Sequence, residues 1–160
     1  MSFLAVRPAL PQDDPFLYDL YCAVRGPEFA HAPVSEAQRA ALINMQFRAQ
    51  MNAYAAMYPN SCYHIVLLDS RPIGRLWVAR QDEEYHLVDI AIHPDLSNKG
   101  IGTALVKRLQ VDAQQAKLPI RSIVLRFNPG SLRFHQRLGF RTVREDQMYF
   151  YMEWQPAPLV

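Results

Sequence analysis

With 160 residues, of which 50% are hydrophobic and 20% charged, the chain can bury one substantial core, and a single domain over residues 1–160 is expected. The net charge of +2 and the dispersed basic residues do not indicate nucleic-acid binding. No apolar run approaches the roughly 20 residues that span a bilayer. Because Met1–Arg7 does not resemble a signal peptide, and Cys22 and Cys62 lack metal-ligand spacing, we expect a cytoplasmic protein without membrane partners or metal.

The first half of the chain is predicted to contain a strand followed by two helices. Phe3–Arg7 is a short strand, and the acidic pair before Pro15 opens a helix that ends at Gly26-Pro27. Ser35–Gln38 has the form of a capping box for a second helix, which Pro59-Asn60 ends. Apolar residues at helical spacing predict the buried faces: Leu17, Leu20, Tyr21 and Val24 in the first helix, and Ile43, Phe47, Met51, Tyr54 and Tyr58 in the second.

Three strands of one sheet are predicted next. Cys62–Leu68 and Ile73–Arg80 form a hairpin through the connection at residues 69–72. Tyr85–His93 is the third strand, and a helix-like stretch from Ile101 to Lys117 follows it.

The segment between this third strand and the following helix carries the sequence Lys99-Gly100-Ile101-Gly102-Thr103. Glycine lets the backbone approach a ligand closely, and the first amides of a helix favour an anion, so a phosphate-bearing ligand is the leading hypothesis. A P-loop consists of a glycine, four further residues and then Gly-Lys-Ser or Gly-Lys-Thr. The chain contains no such sequence, so a P-loop is excluded. A dinucleotide fingerprint is excluded because Leu105 occupies the place of its third glycine.

The second half is predicted to alternate between strand and helix. A strand over Ile120–Phe127 precedes Asn128, which can cap a helix that begins with Pro129 and extends to Leu138. Two final strands are predicted at residues 141–144 and 148–154.

Two motifs of the second half together resemble the GNAT superfamily of N-acetyltransferases. Its coenzyme A loop has the form Arg/Gln-x-x-Gly-x-Gly/Ala, which corresponds to Ser97–Gly102. Its C-terminal motif, Asn-x-x-Ala-x-x-Phe/Leu-Tyr-x-x-x-Gly-Phe, corresponds to Asn128–Phe140. The resemblance implies an α+β fold with a mixed, mostly antiparallel sheet of about seven strands, helices on both faces and splayed central strands.

The resemblance also implies acetyl-CoA as co-substrate and identifies the residues that would bind it. Loop amides would hold the pyrophosphate, backbone of the third strand would pair with pantetheine, and the start of the last helix would contact the pantetheine arm. The residues are Ile90, Ala91, Ile92, Ser97, Asn98, Lys99, Gly100, Ile101, Gly102, Thr103, Asn128, Ser131 and Phe134.

The chain departs from the family pattern at three positions. Ser97 replaces the usual Arg or Gln of the loop, so one phosphate contact could pass to Lys99. Ser131 replaces a small alanine without consequence. His135 replaces the tyrosine that commonly donates a proton to the departing thiolate, and the resemblance therefore makes His135 the candidate acid.

Acetyl transfer also needs a base, because an amine is protonated at neutral pH. His86 and Asp89, on the strand before the loop, are the candidates, and His86 occupies the position of the glutamate base of the histone-acetyltransferase branch. Their strand parity differs, so at most one faces the substrate.

The sequence therefore predicts an N-acetyltransferase that transfers acetyl directly from acetyl-CoA to the amine of a small molecule or peptide. The resemblance leaves a homodimer open. A non-catalytic module that binds or senses acyl-CoA is the alternative, supported by the changes at Ser97 and His135.

Overall fold

The computed structural model describes residues 1–158. The four helices of this part are α1 (Asp14–Arg25), α2 (Glu36–Met57), α3 (Ile101–Ala116) and α4 (Pro129–Arg137). Its seven strands are β1 (Leu4–Pro8), β2 (Cys62–Leu68), β3 (Arg71–Arg80), β4 (Tyr85–Ile92), β5 (Ile120–Leu125), β6 (Arg141–Glu145) and β7 (Tyr149–Trp154).

The strands form one seven-stranded sheet in the order β1-β2-β3-β4-β5-β7-β6. The pair β4 and β5 is parallel, whereas β1 with β2, β5 with β7, and β6 with β7 are antiparallel. Parallel pairing covers Tyr85–Leu87 of β4 and Ile120–Ser122 of β5, so the last pair is Leu87 with Ser122. The prediction of an α+β protein with a mixed, mostly antiparallel sheet is confirmed.

The chain divides into two compact units. The first contains Met1–Trp77 and Asp89–Ile101, and the second contains Val78–Val88 and the chain from Gly102 onward. Strands β3 and β4 each contribute residues to both units.

The core of the first unit lies between α1, α2 and β2. Its buried residues are Leu17, Tyr21, Ile43, Phe47 and Ile65. The rings of Tyr18 and Tyr21 pack against Phe47 with centroid separations of 5.6 and 5.4 Å. The predicted apolar faces of the two helices are thus confirmed at their central positions. At the ends the prediction is wrong for Val24, which is exposed, and Met51, Tyr54 and Tyr58 are only partly buried.

In the second unit, buried apolar residues lie on α3 and on β5, where they are Ile120 and Val124. The buried residues of α3 are Leu105, Val106, Leu109 and Ala113. Strand β5 alternates buried and less buried positions, because successive side chains of a strand point to opposite faces. Two polar residues, Ser122 of β5 and His135 of α4, are buried in this unit as well.

Local sequence signals explain several element ends. Ser35 and Gln38 form the predicted capping box of α2: the Ser35 hydroxyl accepts from the Gln38 N–H, and the Ser35 N–H donates to Gln38 Oε1. The β2–β3 hairpin turns in two residues, Asp69 and Ser70, both with positive φ, 49° and 68°. A two-residue turn with positive φ at both positions matches the right-handed twist of the strands that it joins. The predicted four-residue connection is therefore too long, and Pro72 lies inside β3.

Candidate active site

The loop before α3 has an unusual backbone. Asn98 and Gly100 both lie in the left-handed region, with φ of 61° and 78°. Asparagine tolerates this region and glycine enters it without steric cost. Left-handed residues within a turn can direct consecutive N–H groups to one side, which makes a concave anion site.

The turn that precedes this loop is held by its own hydrogen bonds. The Ser97 N–H and Ser97 hydroxyl both donate to the Pro94 carbonyl oxygen, at 3.2 and 2.7 Å. The His93 Nδ1 accepts from the Asp95 N–H at 3.2 Å. Ser97 would therefore reach a phosphate only by giving up a bond to Pro94, whereas Asn98, Lys99 and Gly100 are exposed.

Helix α3 begins at Ile101, directly after the loop. Its first turn contains Ile101, Gly102 and Thr103 and carries no acidic side chain. The first N–H groups of a helix have no partner within the helix, and the helix dipole favours an anion there. The loop and the start of α3 thus form a continuous run of backbone donors from Asn98 to Thr103.

The end of β4 approaches β3 very closely. A Cβ on Gly74 would overlap the Ala91 carbonyl oxygen and would lie 2.8 Å from Cδ1 of Ile92. The Ile73 carbonyl oxygen accepts from the His93 N–H at 2.8 Å. Only glycine at position 74 allows this arrangement, which fixes the backbone of the predicted pantetheine segment, Ile90 to Ile92.

Asp89, one of the three predicted catalytic residues, forms an ion pair with Arg75. The Asp89 Oδ2 lies 2.7 Å from Nε and 2.6 Å from Nη2 of Arg75. The side chains of Asp89 and Arg75 are 19% and 5% exposed, respectively. Nη2 also donates to Gln50 Oε1 at 3.1 Å, and Nη1 contacts the Met51 sulfur at 3.3 Å. Burial without a partner would be costly for either charge, and the pair removes that cost.

His86, the second predicted catalytic residue, is neutral in this structure at neutral pH. Burial, together with the charge of Arg121, lowers the pKa of His86 to about 4. Arg121 lies opposite His86 in the β4–β5 register. A base with so low a pKa is a weak acceptor for the proton of an alkylammonium, whose pKa is about 10.4.

His135, the third predicted catalytic residue, is enclosed by protein and is only 4% exposed. Its Nε2 lies 2.9 Å from the Ser122 hydroxyl, and its Nδ1 lies 2.8 Å from the Ser131 carbonyl oxygen. The rings of Phe134 and Phe140 stand nearly perpendicular to the imidazole, with centroids at 5.5 and 5.2 Å. Burial lowers the pKa of His135, and the bond to Ser131 offsets part of this effect.

The start of α4 presents the remaining predicted cofactor residues. The Asn128 Oδ1 accepts from the Ser131 N–H at 3.0 Å, as predicted for the helix cap. The Asn128 side chain is exposed, and its Nδ2 group carries two donors that this bond does not use. Phe134 is partly buried on the same helix, and Ser131 lies one turn before it.

The structure thus gives the three predicted catalytic residues different partners. Asp89 pairs with Arg75, His135 with Ser122, and His86 lies in the field of Arg121. Sequence reasoning missed both Arg75 and Ser122. A signal for Arg75 was present, because a lone carboxylate in an apolar strand such as β4 needs a partner of opposite charge.

The described residues, 1–158, hold no evident metal centre. Within this range, no group of three or more His, Cys, Asp or Glu side chains has an arrangement that could hold a metal ion. None of the helices described there combines the length and apolar character needed to cross a bilayer.

Comparison with known proteins identifies the family. Residues 16–140 match the sequence model of the Acetyltransferase (GNAT) family. The chain therefore belongs to the GNAT family of acetyltransferases and is an acyltransferase. It is 28% identical, over 115 residues, to an uncharacterized N-acetyltransferase of Methanocaldococcus jannaschii; the match covers 68% of this chain and 70% of that protein.

Solved structures share the fold. The PaiA N-acetyltransferase of Thermoplasma acidophilum, crystallised with coenzyme A, superposes with a TM-score of 0.72 at 19% identity, covering 96% of this chain and 99% of that chain. An acetyltransferase of Thermus thermophilus gives a TM-score of 0.70 at 18% identity, covering 95% of this chain and 96% of that chain. The family suggested by the two sequence motifs is thus confirmed.

Proposed function

We propose that this protein is an acetyl-CoA dependent N-acetyltransferase whose acceptor is the amine of a small molecule or peptide, and that residues 1–160 act as one domain. The observation that carries the proposal is the left-handed backbone at Asn98 and Gly100 immediately before α3. The family match supports a single domain, because residues 16–140 include parts of both compact units. A cytoplasmic location, a homodimer, and the lack of nucleic-acid and membrane partners stay predictions.

The loop would bind the pyrophosphate of the co-substrate through its backbone. The N–H groups from Asn98 to Thr103 supply the donors, and the Lys99 ammonium adds a positive charge at an exposed position. Ser97 would join them once its hydroxyl leaves Pro94. Phosphate binding of this kind requires no catalytic side chain.

The acyl-bearing arm would bind along the end of β4 and the start of α4. Backbone groups of Ile90, Ala91 and Ile92 would pair with the amides of pantetheine. Asn128 Nδ2 would donate to the same arm while its Oδ1 keeps the helix cap, and Ser131 and Phe134 would line the arm from α4.

The reaction replaces one bond to the acetyl carbon by another. The neutral amine attacks the thioester carbonyl, a C–N bond forms, the C–S bond breaks, and coenzyme A leaves as a thiolate that takes up a proton. The amine loses one proton to a base. Of the two candidates, Asp89 is a partly exposed carboxylate held by Arg75, and His86 is a partly buried imidazole whose pKa burial lowers to about 4.

The family resemblance assigns the proton donor to position 135. His135 fills that role only if its ring releases one of the bonds to Ser122 and Ser131. A positioned acid typically contributes about 10² to 10⁴ in rate. A proton-donor role would therefore require His135→Ala to lose this factor in kcat with an unchanged affinity for coenzyme A. A smaller loss that Ser122→Ala shares would instead indicate a positioning role, and wild-type kcat would assign the proton to water.

Binding of the co-substrate is tested by thermal melting and calorimetry. Acetyl-CoA at about 100 times its Kd should stabilise the native state by about 2.7 kcal/mol, while an adenine dinucleotide should leave the melting temperature unchanged.

Gly102→Val should weaken acetyl-CoA binding far more than it destabilises the fold, because the loop needs close backbone approach. Gly26→Ala is the matched control, since a Cβ there meets nothing within 4 Å. Wild-type affinity in folded Gly102→Val would contradict the loop assignment.

Turnover separates the enzyme from a sensor of acyl-CoA. Release of free coenzyme A thiol is followed while a panel of diamines, amino acids and peptides is offered as acceptors. Acceptor-dependent release supports the proposal. Tight binding of acetyl-CoA with no release above the rate of spontaneous hydrolysis, for every acceptor, would favour the sensor.

A further inference from the structure

Ser122 occupies a distinctive place in the sheet. It is buried, with 4% exposure, and it stands opposite Leu87 in the last parallel pair between β4 and β5. Its hydroxyl lies 2.9 Å from His135 Nε2 and 3.3 Å from the Leu87 carbonyl oxygen. One hydroxyl therefore connects β5 to α4 and to the backbone of β4.

The protons of this network follow from its acceptors. The Ser131 carbonyl oxygen can only accept, so the His135 Nδ1 at 2.8 Å carries the hydrogen. Burial disfavours a second proton on the ring, and Nε2 therefore accepts from the Ser122 hydroxyl. The single hydroxyl hydrogen is shared in a three-centre bond, whose longer branch reaches the Leu87 carbonyl oxygen. Both ring nitrogens are then used inside the protein, which orients the imidazole and, through it, the Ser122 hydroxyl.

We propose that Ser122 and His135 are positioning residues of the acyl-transfer reaction, which hold β4 at the point where its pairing with β5 ends. Leu87 is the last paired residue of β4, and Ile90 to Ile92, the segment assigned to pantetheine, begin three residues later on the same strand. This inference rests on the proposed function. His135 acts through Ser122 on the backbone of β4 and gives no proton to sulfur.

The buried position of the network supports a positioning role. An apolar pair could fill this space between Phe134 and Phe140 without burying a hydroxyl and an imidazole, which is costly unless both are hydrogen-bonded. A buried polar network with satisfied partners selects one geometry, whereas apolar contacts are non-directional.

Ser122→Ala, His135→Ala and their double variant test the proposal. Each single variant should lower kcat/KM for acetyl-CoA about 10-fold. The kcat/KM of the double variant should be no lower than that of the less active single variant, because the two residues act as one unit. Ser122→Thr keeps a hydroxyl and should retain near wild-type kcat/KM. Amide hydrogen exchange at residues 88–92 should be faster in folded Ser122→Ala than in the wild type.

Ser61→Ala is the matched control. Its hydroxyl is likewise hydrogen-bonded to a ring nitrogen, here as the acceptor from the Trp77 N–H at 2.6 Å, and both residues belong to the first compact unit. This variant should lower the melting temperature with unchanged kcat/KM and unchanged exchange at residues 88–92.

Three outcomes would overturn the proposal. A loss of kcat in His135→Ala with wild-type kinetics in Ser122→Ala would make His135 the proton donor. Wild-type kinetics in both variants, with only lower melting temperatures, would leave a purely structural pair. Equal exchange at residues 88–92 in Ser122→Ala and Ser61→Ala would remove the link to β4. A wild-type protein that neither binds acetyl-CoA nor releases its thiol would instead contradict the proposed function.

Discussion

Two buried polar pairs, Arg75–Asp89 and Ser122–His135, differ in charge. Arg75 and Asp89 carry opposite full charges beside Gln50 and Met51 of α2, in the first compact unit. Ser122 and His135 form a neutral pair between β5 and α4, in the second unit. Removal of one partner therefore leaves an uncompensated charge in the first unit but only an unsatisfied dipole in the second. The same kind of substitution should thus lower the free energy of unfolding far more in the first pair than in the second.

The largest effect is expected for Asp89→Asn. The change leaves the Arg75 guanidinium, with a side chain 5% exposed, without a countercharge. The free energy of unfolding, measured in urea at neutral pH, should fall by about 3 kcal/mol. The double variant Arg75→Met, Asp89→Leu should remain within about 1 kcal/mol of wild type, since a buried ion pair is often replaceable by apolar residues. Equal losses in the single and double variants would contradict this account of the ion pair.

A smaller loss is expected for Ser122→Ala. The change removes a hydroxyl and leaves His135 Nε2 buried without its donor, at a cost of about 1 to 2 kcal/mol in the free energy of unfolding. Urea unfolding under the same conditions as for Asp89→Asn measures it. If Ser122→Ala cost as much as Asp89→Asn, charge would not distinguish the two pairs.

The Arg7–Asp13 pair extends the comparison to pH. Hydrogen bonds from Arg7, at 2.7 and 2.8 Å, lower the pKa of Asp13 from 3.8 to about 2. Because the folded pKa lies below the unfolded value, this stabilisation is present above about pH 4 and is lost as the pH falls through about 2. The wild type should melt higher than Asp13→Asn at pH 5, and the difference should shrink by pH 2. A difference that stays constant over this range would exclude titration of Asp13 as its cause.

The smallest effect is expected at the surface. Arg80 and Asp112 form an ion pair at 3.0 Å with both side chains about half exposed, at 49% and 50%. Asp112→Asn should change the free energy of unfolding by less than about 0.5 kcal/mol, and added salt should reduce even that, because water screens the pair. A loss comparable to that of Asp89→Asn would mean that burial does not set the strength of these pairs.

Local signals made most elements of the fold predictable. The capping box at Ser35 and Gln38 and the cap at Asn128 both fixed helix starts within a few residues, because these bonds join neighbours in sequence. The two-residue turn at Asp69 and Ser70 differs from the predicted connection, since neither residue is the glycine that usually marks a turn with positive φ at both positions.

The sequence by itself determined the family, the loop that precedes α3 and the polar residues available for catalysis. Motif spacing and backbone requirements depend on residues close in sequence, so a turn at Gly100 can be predicted without knowing how the strands pair. Only the tertiary structure decided which partners those polar residues have, because Arg75 meets Asp89 across two strands and Ser122 meets His135 across a strand and a helix. Burial and partner choice depend on contacts between segments distant in the chain, and a pattern along one segment does not specify which partner each buried group will find.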